Sequence, residues 1–290
     1  MIVSDKWKDY ECLDAGNGEK LERFGSIILR RPDPQAMWNV SNYDKWQDID
    51  AFYHRSDKGG GYWEKKRNIP DSWNISYNGL TFKIGLTNFK HTGIFPEQAA
   101  NWDFMMKKIA NTKRTIKVLN LFAYTGAATV ACSKAGAEVV HVDASKGMIS
   151  WAKENMELSG LSNNKIRFIV DDCLKFVERE ARRGNKYDAI IMDPPSYGRG
   201  PNNELWKFED NLYTLIDACM LVLSDDPLFF LINSYTTGIS NIVLENILKT
   251  TIMKKYNSGT LSTGELGLPI KRDNLILPCG IFGRWECQDD

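Results

Sequence analysis

The feature of this 290-residue chain that most constrains its fold is a regular alternation of strand-like and helix-like segments from residue 118 onward. Short apolar runs rich in β-branched residues predict buried strands, and longer amphipathic runs predict helices. The predicted strands are 118–122, 138–142, 166–170, 187–192 and 228–233, and the predicted helices are 97–109, 127–135, 146–159, 173–183, 209–223 and 239–250. With two further strands near 258–262 and 275–284, this order predicts an α/β protein with a doubly wound, Rossmann-like sheet of seven strands.

The region before this alternation has a different character. Residues 1–90 contain short runs separated by turn residues, which predicts a small β-rich domain, a candidate for substrate recognition. Asn78-Gly79 lies between the alternating runs 73–77 and 80–84, and it predicts a two-residue hairpin turn because both residues tolerate positive φ. Residues 91–290 form the predicted ligand-binding domain.

Composition narrows the class of protein. Hydrophobic residues make up 43% of the chain, and 37 basic residues balance 37 acidic ones, so the net charge does not favour non-specific binding of polyanions. The six cysteines form no C-x-x-C pair, which predicts neither a metal site nor a disulfide framework. Residues 1–11 lack the apolar core of a leader peptide, and no apolar run approaches ~18 residues. We therefore expect a cytoplasmic enzyme with no metal and no membrane partner.

Small and polar residues follow the first two predicted strands, at the edge where a doubly wound sheet binds its ligands. Tyr124-Thr125-Gly126 forms a turn that lets a ligand approach the backbone, and Asp143 is placed to accept both hydroxyl protons of a ribose. The dinucleotide fingerprint Gly-x-Gly-x-x-Gly is absent, which disfavours NAD. A ligand with one adenosine and an amino-acid tail needs fewer glycines. The predicted cofactor is S-adenosylmethionine, with S-adenosylhomocysteine as its product.

Two acidic segments follow the next strands. Asp172 could accept a hydrogen bond from the exocyclic amine of adenine, although an aspartate here could equally be a helix N-cap, and the role of Asp171 stays open. In Asp193-Pro194-Pro195-Ser196-Tyr197, two prolines fix the backbone and leave carbonyl acceptors aimed outward. The Asp193 carboxylate and the Pro194 carbonyl could hold a base amine in line with a sulfonium methyl group, with Tyr197 stacked on the base. A plain Asp-Pro-Pro turn is the alternative.

With these residues together, the chain resembles the class I S-adenosylmethionine-dependent methyltransferases. In particular, it resembles the ribosomal RNA large-subunit methyltransferase family, the cytosine-C5 and guanine-N7 group that acts on bases of 23S ribosomal RNA. The resemblance runs from about Gly79 to Arg284. Its motifs are Gly93-Ile-Phe-Pro-Glu-Gln98, Leu119-Asn-Leu-Phe-Ala-Tyr-Thr-Gly126, Val142-Asp-Ala-Ser145, Trp151-Ala-Lys-Glu-Asn155, Arg167-Phe-Ile-Val-Asp-Asp172 and Asp193-Pro-Pro-Ser-Tyr197.

The resemblance implies roles for individual residues. Phe122, Tyr124 and Gly126 would line the methionine part of the cofactor. Asp143 would hold the ribose, Asp172 the adenine, and Asp193, with Pro194 and Tyr197, would form the methyl-transfer centre. Asp193 would also contact the cofactor, and the other residues expected to do so lie in the same motifs: Phe95, Gln98, Thr125, Ala144, Ser145, Asp171 and Cys173. Ribosomal RNA is the implied partner.

The sequence departs from the family pattern at three points, and these limit which properties of the family can be expected of this chain. Tyr235 stands where the cytosine-C5 members have a nucleophilic cysteine, which disfavours C5 chemistry. Ala99 replaces the family's arginine, and the usual N-terminal RNA-binding module is not evident. We expect a methyltransferase that transfers directly to a nitrogen of a ribosomal RNA base. A methyltransferase of proteins or small molecules is one alternative, and a catalytically silent cofactor-binding protein is another.

Overall fold

A computed structural model describes residues 1–40, 46–56 and 60–288. The chain divides into two compact units, Met1–Ala100 with Leu266–Cys279, and Asn101–Glu265 with Gly280–Asp290. The expected boundary at residue 90 falls inside the first unit. Across the described ranges, no helix is both long enough and apolar enough to span a membrane.

The first unit is built from β-strands. These are β1 (Ile2–Val3), β2 (Tyr10–Gly16), β3 (Glu19–Phe24), β4 (Ile27–Pro32), β5 (Ala51–Arg55), β6 (Gly61–Lys65), β7 (Ser72–Tyr77) and β8 (Leu80–Gly85). Strands β2 to β6 form one sheet in chain order, and β7 pairs with β8. Asn78 and Gly79 join β7 to β8 with φ values of 48° and 76°, which confirms the predicted hairpin. A short 3₁₀ helix, Pro96–Gln98, follows.

The second unit alternates strands and helices. In chain order the elements are α1 (Ala99–Ala110), β9 (Lys117–Leu121), α2 (Ala127–Lys134), β10 (Glu138–Asp143), α3 (Lys146–Leu158), β11 (Ile166–Val170), α4 (Cys173–Arg182), β12 (Ala189–Met192), β13 (Tyr197–Arg199), β14 (Leu205–Lys207), α5 (Phe208–Val222), β15 (Phe229–Ser234), α6 (Asn241–Thr250), α7 (Ile252–Tyr256), β16 (Thr260–Pro269) and β17 (Ile276–Glu286). Strands β16 and β17 each continue into residues of the first unit.

Seven of these strands form the predicted sheet, in the order β16-β17-β15-β12-β9-β10-β11. The strands from β15 to β11 run parallel, and β17 runs antiparallel to β15. The two-residue β1 extends this sheet to eight strands by pairing with Leu266 and Gly267. The α/β, Rossmann-like prediction is therefore confirmed. Strand order reverses between β9 and β12, which is the point where such a sheet binds ligands.

A buried apolar cluster fixes helices α4, α5 and α6 on one face of this sheet. Leu119 and Val142 supply the strand side, and Phe176, Leu215 and Leu248 supply the helix side. Burying such side chains is the main favourable term in folding.

Three short elements were not predicted from the sequence. Helix α7 has five residues, and β13 and β14 have three each and pair as a hairpin. Elements this short contain too few positions for a periodic apolar pattern. The predicted strand at 258–262 is also longer in the structure, because β16 reaches Pro269.

A buried ion pair lies within the first unit. Both carboxylate oxygens of Glu22 accept hydrogen bonds from Arg31, at 2.5 and 2.8 Å, and Oε1 also accepts one from the Tyr10 hydroxyl at 2.8 Å. Glu22 is fully buried and Arg31 is 4% exposed. Burial alone would raise the pKa of Glu22, but Arg31 and Lys20 outweigh it and lower that pKa to about 2.

Replacing this carboxylate should destabilise the protein. Glu22→Gln leaves the buried Arg31 without the carboxylate that it pairs with, and removing one partner of such a pair costs about 3–5 kcal/mol. Urea unfolding measures the change, with Asp71→Asn as the control because Asp71 pairs with Lys65 at the surface. Since folding lowers the pKa of Glu22, its stabilisation is present above pH ~4.5 and is lost as the pH falls toward 2. Equal unfolding midpoints for Glu22→Gln and wild type would contradict this account.

Candidate functional site

The parallel strands of the second unit end together. Leu121 pairs with both Val142 and Met192, and Met192 also pairs with Ile232. The residues that follow these paired positions therefore lie at one edge of the sheet. The sequence analysis predicts that the ligand-binding residues lie at this edge. In the structure, the loops after β9, β10, β11 and β12 meet there.

The loop after β9 has an unusual backbone. Phe122 and Tyr124 both have a φ of 52°, and Gly126 has a φ of 82°. Positive φ is costly for aromatic residues, so the surrounding structure must hold this conformation. Two backbone hydrogen bonds help: Ala123 N–H donates to the Val142 carbonyl at 3.1 Å, and Gly126 N–H donates to the Ala123 carbonyl at 3.0 Å.

Asp143 joins this loop to the loop after β10. Its Oδ2 accepts a hydrogen bond from Tyr124 N–H, and its Oδ1 accepts one from Ser145 N–H, both at 2.8 Å. Burial raises the pKa of Asp143, and these two backbone hydrogen bonds act in the opposite direction. Each carboxylate oxygen can accept a second hydrogen bond, so the ribose assignment remains compatible with the structure. The neighbouring Ala144 is half-buried, and Ser145 caps α3.

Close packing beneath the loop explains why Gly126 is a glycine. A Cβ atom there would lie 2.8 Å from Cβ of Ala152 and 3.3 Å from Cε1 of His141. The imidazole Nδ1 of His141 lies 2.9 Å from Oγ1 of Thr129, and burial lowers the pKa of His141 to about 3, so the ring is neutral. His141 supports the loop from below and does not face a substrate as an acid or base.

Asn155 holds the same loop from α3. Its Nδ2 donates a hydrogen bond to the carbonyl of Thr125 at 2.8 Å, and both residues are 1% exposed. The sequence placed Thr125 against the cofactor, whereas its side chain is buried inside the second unit. Its role in cofactor binding stays a prediction.

The segment after β11 caps helix α4 and also supports the loop after β9. Oδ1 of Asp172 accepts a hydrogen bond from Lys175 N–H at 2.9 Å, so Asp172 is the N-cap of α4. Oδ2 of Asp172 has no hydrogen bond among the described residues. Asp171 forms an ion pair with Arg179. Cys173 is buried, and its Sγ accepts a hydrogen bond from Phe122 N–H at 3.4 Å, which again fixes the loop after β9.

The loop Asp193-Pro194-Pro195-Ser196 after β12, here called the proline loop, is held in place by the hairpin of β13 and β14 that follows it. Indole Nε1 of Trp206 donates a hydrogen bond to the Pro195 carbonyl at 2.6 Å. The expectation that the proline carbonyls all face outward is therefore wrong for Pro195. Pro194 is buried, whereas the Tyr197 side chain is 57% exposed. Ser196 and Thr236 bring their hydroxyl oxygens to 2.9 Å, which joins this loop to the one after β15.

Trp206 was not predicted as part of the site. Its ring also packs against Phe122, with centroids 4.8 Å apart, so it connects the proline loop to the loop after β9. It lies in a three-residue strand between polar segments, and nothing in its sequence context indicates this contact.

Two predicted cofactor residues, Phe95 and Gln98, belong to the first unit. Phe95 precedes the 3₁₀ helix, and its ring centroid lies 5.3 Å from that of His91. Gln98 ends that helix and is 8% exposed. Their contact with a cofactor stays a prediction.

A family model described as S-adenosylmethionine-dependent methyltransferase matches residues 46–251. Among curated proteins, the chain is 30% identical over 243 residues to ribosomal RNA large subunit methyltransferase K of Neisseria meningitidis serogroup B, covering 80% of this chain and 66% of that protein. It is 38% identical over 148 residues to ribosomal RNA large subunit methyltransferase K/L of Shewanella frigidimarina, covering 50% of this chain and 20% of that protein. The chain thus spans less than two thirds of either relative.

A solved structure is similar over almost the whole chain. The crystal structure of the S-adenosylmethionine-dependent methyltransferase from Agrobacterium tumefaciens superposes with a TM-score of 0.95 at 38% identity. The match covers 99% of this chain and 93% of that one.

Asp143→Asn should weaken binding of S-adenosylhomocysteine by about 10- to 100-fold. Whichever way its amide turns, Nδ2 faces the N–H of Tyr124 or Ser145, and an unpaired buried polar group costs about 1–3 kcal/mol. Titration calorimetry measures the affinity. Glu138→Gln, at the opposite end of β10, is the control and should bind normally. Unchanged affinity of Asp143→Asn would remove the ribose assignment and the loop's dependence on this carboxylate.

Proposed function

Because this chain belongs to the family of S-adenosylmethionine-dependent methyltransferases, we propose that it transfers a methyl group directly to a nitrogen of a ribosomal RNA base. The observation that carries this proposal is the meeting of two loops at one edge of the sheet. One is the loop held by Asp143, and the other is the proline loop that begins at Asp193. The names of the curated relatives support ribosomal RNA as the substrate class.

The residues of the first loop fit the cofactor of the family. Gly126 has no room for a Cβ atom, the carboxylate of Asp143 beside it is half-buried, and the backbone of the loop is constrained. These features suit an adenosine with an amino-acid tail. Gly126 and Tyr124 would hold the methionine part, Asp143 the ribose and Asp172 the adenine. When bound, S-adenosylmethionine supplies an electrophilic methyl group on a sulfonium.

The chain's own contribution to the reaction is alignment. The prolines fix the backbone at Asp193, so its carboxylate and the Pro194 carbonyl can accept hydrogen bonds from a base amine without rearranging. Tyr197 is exposed enough to stack on the ring. A neutral ring or amine nitrogen attacks with its lone pair and loses any surplus proton afterwards, so no dedicated base is needed.

Tyr235 supports direct transfer over a covalent route. It occupies the position of the nucleophilic cysteine in the cytosine-C5 enzymes. Its ring lies against Gly280, where a Cβ atom would come within 2.9 Å of Tyr235 Cδ1. A packed phenol is a poor substitute for a thiolate nucleophile.

An exposed ring stack in the first unit supports an RNA substrate over a small molecule. Tyr62 is 62% exposed and stacks on His54, with centroids 4.9 Å apart and planes 15° apart. The ring of Phe52 also contacts that of His54, with centroids 4.4 Å apart in an edge-on arrangement. Base–aromatic stacking of this kind binds unpaired nucleotides.

Asp193→Ala should lower methyl transfer by about 100- to 1,000-fold, the usual effect of removing one polar group that aligns or stabilises the reacting centre. Affinity for S-adenosylhomocysteine should stay within about twofold. The assay uses a radiolabelled methyl donor and RNA from a strain lacking the gene, followed by nucleoside mass spectrometry. Wild type should label one N-methylated nucleoside.

The control is Asp217→Ala, which removes an exposed carboxylate from α5 and should be fully active. Label appearing only in protein or small molecules would refute the RNA substrate. Full activity of Asp193→Ala would refute the role of the proline loop.

A further inference from the structure

Three polar side chains form a chain of hydrogen bonds behind the end of β15. Nη2 of Arg284 donates to Oδ1 of Asn101 at 2.8 Å, and Nδ2 of Asn101 donates to Oδ1 of Asn233 at 3.0 Å. A guanidinium can only donate hydrogen bonds. Arg284 therefore fixes which end of the Asn101 amide faces it, and Asn101 in turn fixes the amide of Asn233.

The amide of Asn233 is left with its donor group available. Among the described residues nothing accepts a hydrogen bond from its Nδ2. In the part of the chain that the structure describes, three fully enclosed side-chain atoms lack a partner: Oγ1 of Thr92, Nε2 of His141 and Nε of Arg284. Nδ2 of Asn233 is not one of them, so it is not fully enclosed. Asn233 as a whole is 3% exposed, so the accessible part of this atom is small.

That donor lies beside the proposed methyl-transfer centre. Met192, the last residue of β12, pairs with Ile232, so Asp193 directly after β12 lies level with Asn233 in the neighbouring strand β15. Neighbouring strands lie about 5 Å apart, and paired positions face the same side of a sheet. An acceptor at Asp193 thus lies next to a donor at Asn233.

The position of Arg284 is energetically unfavourable for a charged side chain. Burial lowers its pKa to about 10, so it stays charged at neutral pH, and no carboxylate within the described ranges forms an ion pair with it. Its guanidinium carbon instead lies 3.8 Å from the ring centroid of Phe104. A half-buried charge without an ion pair loses hydration with no counter-charge to compensate, which favours a role in the site over a role in folding.

We propose that Asn233 is a substrate-binding residue whose Nδ2 donates a hydrogen bond to an acceptor atom of the target base. Arg284 and Asn101 are positioning residues that keep this amide turned the right way. The acceptor at Asp193 and the donor at Asn233 then match a base edge that carries a donor and an acceptor side by side. This inference rests on the proposed function.

Asn233→Asp tests the donor directly. The aspartate still accepts the hydrogen bond from Asn101, but its second oxygen replaces the Nδ2 donor. We expect kcat/KM for RNA to fall by about 10- to 100-fold, the cost of one unpaired buried polar group. Affinity for S-adenosylhomocysteine should stay within about twofold, which shows that the variant still folds around the cofactor. The control is Asn246→Asp, the same substitution at an exposed position of α6.

Arg284→Met tests whether Arg284 acts through Asn101 on the amide of Asn233, a connection that we call the relay. If Arg284 acts only through the Asn233 amide, the single variant loses part of the RNA kcat/KM, and the double variant with Asn233→Asp is no slower than Asn233→Asp alone. Multiplicative losses in the double variant would refute the relay.

Two outcomes separate this inference from the proposed function. An active wild type together with an Asn233→Asp variant that retains kcat/KM within twofold would overturn the inference alone. A wild type that methylates no RNA would overturn the proposed function and the inference with it.

Discussion

The carboxylate of Asp143 is the contact on which the rest of the site depends. By accepting the N–H groups of Tyr124 and Ser145, it ties the loops after β9 and β10 to each other. The positive φ values of Phe122 and Tyr124 persist only because this contact, the Cys173 thiol and the packing beneath Gly126 act together. One side chain thus shapes the loop, and it is also the residue that we propose binds the ribose.

The second half of the site is built by different means. Rigid prolines, the Trp206 indole and the paired hydroxyls of Ser196 and Thr236 hold the loop that begins at Asp193. Because Trp206 also packs against Phe122, the two loops are coupled. This arrangement suits methyl transfer, in which alignment of two reactants contributes more than acid–base chemistry.

The strand-and-helix order and the acidic residues at strand ends could be predicted because both are local properties of the sequence. Gly126, Asp143 and Asp172 each follow or end an apolar run, and their chemistry is specific. Asn233 and Trp206 were not predicted to belong to the site, because their roles depend on partners that are distant in the sequence. Asn101 and Asn233 lie 132 positions apart, and no local pattern links them. The capping role of Asp172 and the internal contact of Pro195 likewise emerge only from the three-dimensional structure.

A crystal structure of the protein with S-adenosylhomocysteine would test most directly whether Asp143 binds the cofactor. We expect the ribose hydroxyls within about 2.5–3.0 Å of the Asp143 oxygens, with the loop after β9 keeping its positive φ values and the sulfur facing Asp193. A complex in which the adenosine makes no contact with Asp143, or in which the sulfur faces away from the proline loop, would contradict it.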